Sequence, residues 1–301
     1  TEIALRAAAA VAMSNLQVTV VAPTTVLARQ HHDVFKKRFE KSGLSVGLLS
    51  RAVRNDEVTR TRDEIRAGTV DIVIATHAIL GKNVSFQRLG LVVIDEEHRF
   101  GAADKAAMRA LSPNVHVLAL SATPIPRTLQ TALIGVQDVS LLTTAPSRRR
   151  PIRTSILQID AATIRAALLR ERRRGGQSFF VAPRVADIDP LQAMLAEIAP
   201  ELSVLVAHGK MSVEKMDDAV VRFSEGEADI LLSTNIVESG LDVPRANTIF
   251  VWRSDQFGLA QLHQLRGRVG RGRSQGLAYM LTEPGEKESD DSRQRLSLLL
   301  K

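Results

Sequence analysis

The sequence predicts an α/β protein of two lobes, each a mostly parallel β-sheet flanked by helices. Short apolar runs rich in β-branched residues alternate with helix-length amphipathic segments along the whole chain. The runs are continuous rather than alternating polar and apolar, as expected of strands covered on both faces. At 301 residues, the chain exceeds the length at which a single hydrophobic core stops growing, so two domains are expected.

The elements follow in order. Ala7–Met13 is apolar but short and closes on Ser14-Asn15, which reads as a buried helix. Strands are expected in the first half at Val18–Ala22, Val46–Leu49, Val70–Ala75, Leu91–Ile94 and Val115–Leu120. In the second half they are expected at Ile156–Ile159, Ser178–Ala182, Val204–Ala207, Ile230–Ser233, Thr248–Val251 and Leu277–Leu281. Helices are expected between them at Val26–Lys41, Asn55–Ala67, Ala161–Arg174 and Ser212–Glu225. The repeated strand–helix order implies parallel sheets with right-handed crossovers. Near Thr143–Arg153, two prolines and a basic cluster interrupt the hydrophobic period and mark a linker. The expected division is a first lobe over 1–144, a linker over 145–153 and a second lobe over 154–301. Arg172–Arg174 before Gly175 fits the last turn of a helix and its glycine cap. No short-period repeat is visible, and the halves resemble each other in architecture only.

Composition narrows the function. The absence of cysteine excludes disulfides, thiolate metal sites and cysteine nucleophiles, and suits a reducing cytoplasm. No stretch is long and apolar enough to cross a bilayer. The net charge of +7 is shared between the halves and favours a polyanionic partner such as nucleic acid, although a basic solvated surface would give the same count.

The chemistry-bearing segments lie where strands end. GLVVIDEEHRFG, Gly90 to Gly101, delivers Asp95, Glu96, Glu97 and His98 to the carboxyl end of a strand, where open α/β sheets bind ligands. Asp95 is the candidate holder of magnesium and Glu96 the candidate base for an attacking water; a solvated acidic loop is the plainer alternative. SATPIPRT, Ser121–Thr128, follows the next strand with hydroxyls at Ser121 and Thr123 suited to relaying hydrogen bonds. Pro23, Thr24 and Thr25 open a helix carrying Arg29, a natural phosphate-backbone site that is equally a helix cap. QLHQLRGRVGRG, Gln261–Gly272, sets Arg268 and Arg271 three apart in a helix-length segment, so that both reach one phosphate group. Gly240 and Asp242 lie in STNIVESGLDVPRANT after Thr234, and His208-Gly209 follows another strand; Asp242 as a turn cap and His208 as a packed residue remain open. His31 and His32 show no metal-ligand spacing and read as structural.

Together these motifs resemble superfamily 2 helicases and translocases across nearly the whole chain. PTTVLARQH is similar to motif Ia, DEEH to motif II, SATPIPRT to motif III and QLRGRVGR to motif VI. The resemblance implies two RecA-like lobes clasping ATP and Mg2+, with Asp95 on the metal, Glu96 as base, and Arg268 and Arg271 as arginine fingers. It also implies that Gln264 communicates with His98 and that Ser121 and Thr123 couple the lobes. Gly240 and Asp242 would help bind the nucleotide, and Pro23, Thr24, Thr25, Arg29, Thr76, His77, His208, Gly209 and Thr234 would contact nucleic acid. Within the superfamily, DEEHRFG and FGLAQLHQLRGRVGR are similar to two groups, RecG-like branched-DNA helicases and bacterial transcription-repair coupling factors. PTTVLARQH, DEEH and Asp255-Gln256-Phe257-Gly258 lean to the latter. That group implies a bacterial, cytoplasmic translocase on double-stranded DNA that displaces stalled RNA polymerase and helps recruit excision-repair proteins, both bound through modules outside this chain. An RNA helicase and a non-catalytic nucleic-acid-binding module are the alternatives.

Members of the superfamily carry a phosphate-binding loop ending Gly-Lys-Thr before the first helix, of which Thr1 alone is present here. Thr1 would join Asp95 at the metal. The resemblance therefore implies a first lobe lacking its phosphate-loop strand, and a chain that by itself hydrolyses little ATP. Ser292–Leu300 resembles the first turns of the family's translocation hairpin.

Overall fold

Gln17–Val21 (β1) is buried at every position, because apolar side chains leave it on both sides and helices cover both faces. It lies inside a sheet of five strands in the order β2-β3-β1-β4-β5, with β2 at Val46–Leu49, β3 at Ile72–Ala75, β4 at Leu89–Ile94 and β5 at His116–Ala119. All four pairings are parallel. Among the described residues, the helices of this unit are α1 (Glu2–Met13), α2 (Thr25–Phe39), α3 (Asn55–Ala67) and α4 (Ala102–Arg109). Ala8, Leu27 and Phe35 pack with Val18, Val20, Ile74 and Val93 on one face of the sheet. Ile65 and Met108 pack with Val21, Val73 and Val92 on the other.

In this computed structural model the chain divides into two compact units, Thr1–Thr143 and Thr144–Lys301. The described residues are 1–50, 53–81, 83–112, 114–121, 138–142, 144, 151–234, 243–270, 274–283 and 297–299. The second unit holds a six-stranded parallel sheet in the order β6-β11-β10-β7-β9-β8. Its strands are β6 (Arg153–Gln158), β7 (Gln177–Val181), β8 (Val204–Ala207), β9 (Ile230–Ser233), β10 (Ala246–Val251) and β11 (Leu277–Thr282). Its helices are α5 (Ala161–Arg173), α6 (Ile188–Ile198), α7 (Val213–Glu225) and α8 (Leu259–Arg266). Leu168, Leu191 and Leu195 pack against Phe180, Leu232 and Phe250, and the rings of Phe180 and Phe250 stack at 5.4 Å.

Strand positions agree with the hydrophobic runs to within three residues, and Asn55–Ala67 is helical over the expected span. Three features differ. β5 is largely exposed rather than covered, since it is the edge of the described sheet. β6 already begins at Arg153, the last residue assigned to the linker; residues 145–150 of that linker lie outside the described residues.

The third difference is that the units share more than architecture. The Gln17 side chain donates from Nε2 to the carbonyls of Ile65 and Val70, closing the turn after α3. Gln177 does the same to Phe223 and Ala228 after α7. Asp71 accepts from the amide and hydroxyl of Ser45, and Asp229 from those of Ser203. Gly68 and Gly226 end the two preceding helices with φ of 70° and 92°. Two bonds are not repeated. Gln17 Oε1 accepts from the Gln87 and Arg88 amides, whereas Pro244, in the place of Gln87, has no N–H, and Gln177 Oε1 is left without a hydrogen-bond partner. Periodicity cannot reveal this kinship, because it rests on a few polar side chains among apolar ones.

Candidate nucleotide site at the carboxyl edge of the first sheet

β4 carries the ladder one residue beyond its end, with the Asp95 amide donating to Val21 O at 2.9 Å. The chain then turns sharply. Glu96 adopts φ 50° and ψ 49°, a left-handed conformation unusual for a residue with a Cβ, and a 3₁₀ turn follows over Glu97–Arg99. The Glu97 amide donates to Leu120 O at 3.0 Å, which ties the turn to the end of β5. This geometry leaves the Asp95 and Glu96 side chains at the carboxyl edge of the sheet, the edge where parallel sheets bind ligands.

Asp95 is held at both oxygens. Oδ1 accepts from the Glu96 amide at 3.0 Å, and Oδ2 lies 2.7 Å from His31 Nε2. Burial pushes the Asp95 carboxyl up, and the hydrogen bond and charge of His31, with the Glu96 amide, pull it down. The carboxyl is held below the usual carboxylate range, in its charged form. His98 Nδ1 lies 3.4 Å from Ser121 Oγ and 3.5 Å from Glu96 Oε2, so the ends of β4 and β5 meet through this imidazole. Lys105 on α4 pairs with Glu97 at 3.2 Å.

His31, which the sequence reading took as structural, lies beside Asp95, a contact that reading did not foresee. It lies four residues from both Leu27 and Phe35 on the apolar stripe of α2, so it faces the sheet, and it is 4% exposed. A histidine on that stripe must find a polar partner inside, and β4, beside β1, supplies Asp95. The stripe was the available signal.

The other candidate residues are distributed as follows. Thr24, which follows Pro23, caps α2 by accepting from the Leu27 amide at 3.3 Å; Thr25 is the first residue of that helix and Arg29 lies in its second turn. Thr1 precedes α1, and its hydroxyl makes no capping bond. Thr76 and His77 follow β3; His77 lies 3.5 Å from Asp104 and packs on Phe100 at 5.0 Å. In the second unit, Thr234 is buried just beyond β9. His208 and Gly209 follow β8, where His208 Nδ1 accepts from the Lys210 amide at 3.3 Å, a local turn bond. Gln264 lies in α8. Arg268 is 7% exposed.

The expectation that Arg268 and Arg271 share a helix is corrected for Arg268. α8 ends at Arg266 with Gly267 as its cap, and Arg268 lies in the turn beyond. Gly270 then takes φ +69°, and a Cβ there would lie 3.2 Å from the Gly276 Cα. A glycine is thus required by backbone conformation and close packing at that point. Arg271, Thr123, Gly240 and Asp242 lie outside the described residues.

Residues 1–132 match the DEAD/DEAH box helicase family, and residues 160–273 match the helicase conserved C-terminal domain. The chain is 45% identical, over 99% of its length, to the transcription-repair-coupling factor of Rickettsia prowazekii (strain Madrid E), and spans 27% of that protein. It is 41% identical over 99% of its length to the transcription-repair-coupling factor of Escherichia coli (strain K12), spanning 26% of it. The chain belongs to the superfamily 2 helicases. A solved structure of RecG bound to a three-way DNA junction matches 95% of the chain with a TM-score of 0.77 and 35% identity, and the match covers 38% of that RecG chain. The two parallel sheets flanked by helices are accordingly the two RecA-like lobes of a helicase core. The chain spans about a quarter of the length of these coupling factors.

The family implies ATP and magnesium, and the first lobe fits that requirement. Asp95 is a partly exposed carboxylate held in its charged form, a hard oxygen donor of the kind magnesium takes alongside substrate phosphates. Among the described residues no group of three or more potential ligand side chains occurs.

Proposed function

We propose that this chain is the motor core of an ATP-dependent translocase on double-stranded DNA that displaces stalled RNA polymerase in transcription-coupled repair. The observation that carries this reading is the 41–46% identity, along 95–99% of the chain, to proteins named transcription-repair-coupling factor. In this reading Asp95, with Thr1, holds magnesium, which would neutralise phosphate charge on the bound nucleotide. Glu96 takes the proton of the attacking water. Its left-handed backbone and the neighbouring His98 fix where that carboxylate lies. Ser121 and Thr123 are the coupling residues next to it, and His98 passes the state of the site to Gln264. Arg268 and Arg271 stabilise charge on the transferring phosphoryl group, and Gly240 and Asp242 help bind the nucleotide.

Nucleic acid is contacted in the first lobe by Pro23, Thr24, Thr25, Arg29, Thr76 and His77, and in the second by His208, Gly209 and Thr234. The partner is duplex DNA, in keeping with the basic charge and the coupling-factor relatives. RNA polymerase and excision-repair proteins are engaged outside these residues, in the bacterial cytoplasm. The test is displacement of a DNA triplex strand by the full-length gene product with ATP. Displacement stimulated by linear duplex and not by RNA supports the reading. The likeness to junction-bound RecG raises a branched-DNA helicase as the second reading, and stimulation confined to branched DNA would favour it.

A further inference from the structure

We infer that His31 is a positioning residue for the nucleotide-bound metal: its Nε2–H donates to Asp95 Oδ2 and fixes the plane in which that carboxylate meets the ion. The inference rests on the proposed role of Asp95 and extends the site to a residue on a different element.

The geometry carries it. A carboxylate bonded at one oxygen can still turn about its Cβ–Cγ bond, and one bonded at both cannot. The Glu96 amide holds Oδ1 at 3.0 Å, and His31 holds Oδ2 at 2.7 Å, a distance typical of a charge-assisted bond. The imidazole is itself fixed: it is 4% exposed on the buried stripe of α2 and stands nearly perpendicular to the Phe35 ring, with centroids 6.3 Å apart. The Asp95 side chain remains 19% exposed, so the carboxylate is anchored from inside the lobe while still open to a ligand. A histidine needed only for packing would be as well served by leucine, which would add no polar group to a buried stripe. Groups that orient a metal-binding carboxylate from the second layer typically alter metal affinity by about 10- to 100-fold when removed.

The same bond joins two parts of the chain that the proposed function treats separately. α2 begins at Thr25, immediately after Thr24, which is assigned to nucleic acid, and it carries His31 two turns later to the metal-holding carboxylate. A shift of α2 on binding nucleic acid would therefore be felt at Asp95 through a single hydrogen bond.

The test is Mn2+ binding, read by electron paramagnetic resonance, in the full-length gene product saturated with a non-hydrolysable adenosine nucleotide. The variants are His31→Leu, His31→Gln and Asp95→Asn, each checked for an unchanged urea midpoint. His31→Leu is expected to raise the Mn2+ concentration at half-occupancy about 10- to 100-fold, and His31→Gln, which keeps a donor, to restore most of it. Wild-type affinity in His31→Leu together with loss of binding in Asp95→Asn overturns the role of His31 and leaves the role of Asp95 standing. Wild-type affinity in Asp95→Asn overturns the metal reading itself. A measurement on the wild type covers the case of a misfolded His31→Leu: Mg2+ added to the nucleotide-bound protein should move the His31 side-chain 15Nε2 resonance. An unmoved resonance overturns the inference.

Discussion

Replacing Gln17 by leucine should destabilise the first lobe far more than the equivalent change at Gln177 destabilises the second. Gln17 is fully buried and makes four hydrogen bonds, to Ile65 O, Val70 O and the amides of Gln87 and Arg88, at 3.0 to 3.1 Å. Leucine matches its volume but leaves all four backbone groups without that partner. At about 1 kcal/mol net per bond, offset by about 1 kcal/mol for burying a more apolar side chain, the loss is about 3 kcal/mol. Gln177→Leu removes only the bonds to Phe223 and Ala228, and it also removes a buried Oε1 that has no partner. Its net cost is about 1 kcal/mol at most. Hydrogen exchange of the β1 and β3 amides reads the first lobe, where 3 kcal/mol corresponds to exchange faster by roughly a hundredfold. The single tryptophan, Trp252, reports the second lobe by fluorescence during urea unfolding. Equal losses in the two lobes, or a larger loss for Gln177→Leu, would refute the reasoning, because the two glutamines differ chiefly in the two bonds that Gln17 Oε1 accepts and Gln177 Oε1 does not.

Two further outcomes follow from the second lobe. Asp160 caps α5, and the Thr163 hydroxyl and amide hold its carboxyl below the usual range. With a folded value below the unfolded one, its contribution is complete above the ordinary carboxylate value, about pH 4, and is lost as pH falls through the folded value. Asp160→Asn keeps an acceptor without the titration, so the urea midpoint of Trp252 should depend less on acid in the variant than in the wild type. Arg271→Ala should reduce ATP hydrolysis by the full-length gene product at least about a hundredfold while leaving duplex-DNA affinity within about threefold. A selective loss of DNA binding would make Arg271 a phosphate-backbone contact instead.

Much of this protein was legible from apolar runs, because a parallel sheet buried on both faces writes its strands as short continuous stretches. β2, β8 and β9 coincide with their runs to the residue. Strand ends were legible for the same reason, and with them the location of Asp95 and Glu96. Three things were not. The Asp95–His31 bond joins residues 64 positions apart on different elements, and only the stripe of α2 hinted at it. The end of α8 was hidden because Arg268 and Arg271 stand three apart, as on one helix face, while the helix already ends at Arg266 with Gly267 as its cap. The shared bracing of the lobes lies in Gln17, Gln177, Asp71 and Asp229, polar residues whose partners are backbone groups brought near only by folding.

The central claim is that Asp95 and Glu96 form the hydrolytic centre of a DNA-driven motor. The most direct test is ATP hydrolysis by the full-length gene product and its Glu96→Gln variant, with and without duplex DNA, alongside nucleotide binding. The account predicts DNA-stimulated turnover in the wild type, and a variant that binds ATP normally but turns over slower by about 100- to 10,000-fold. Unchanged turnover in Glu96→Gln, or a wild type indifferent to duplex DNA, would contradict it.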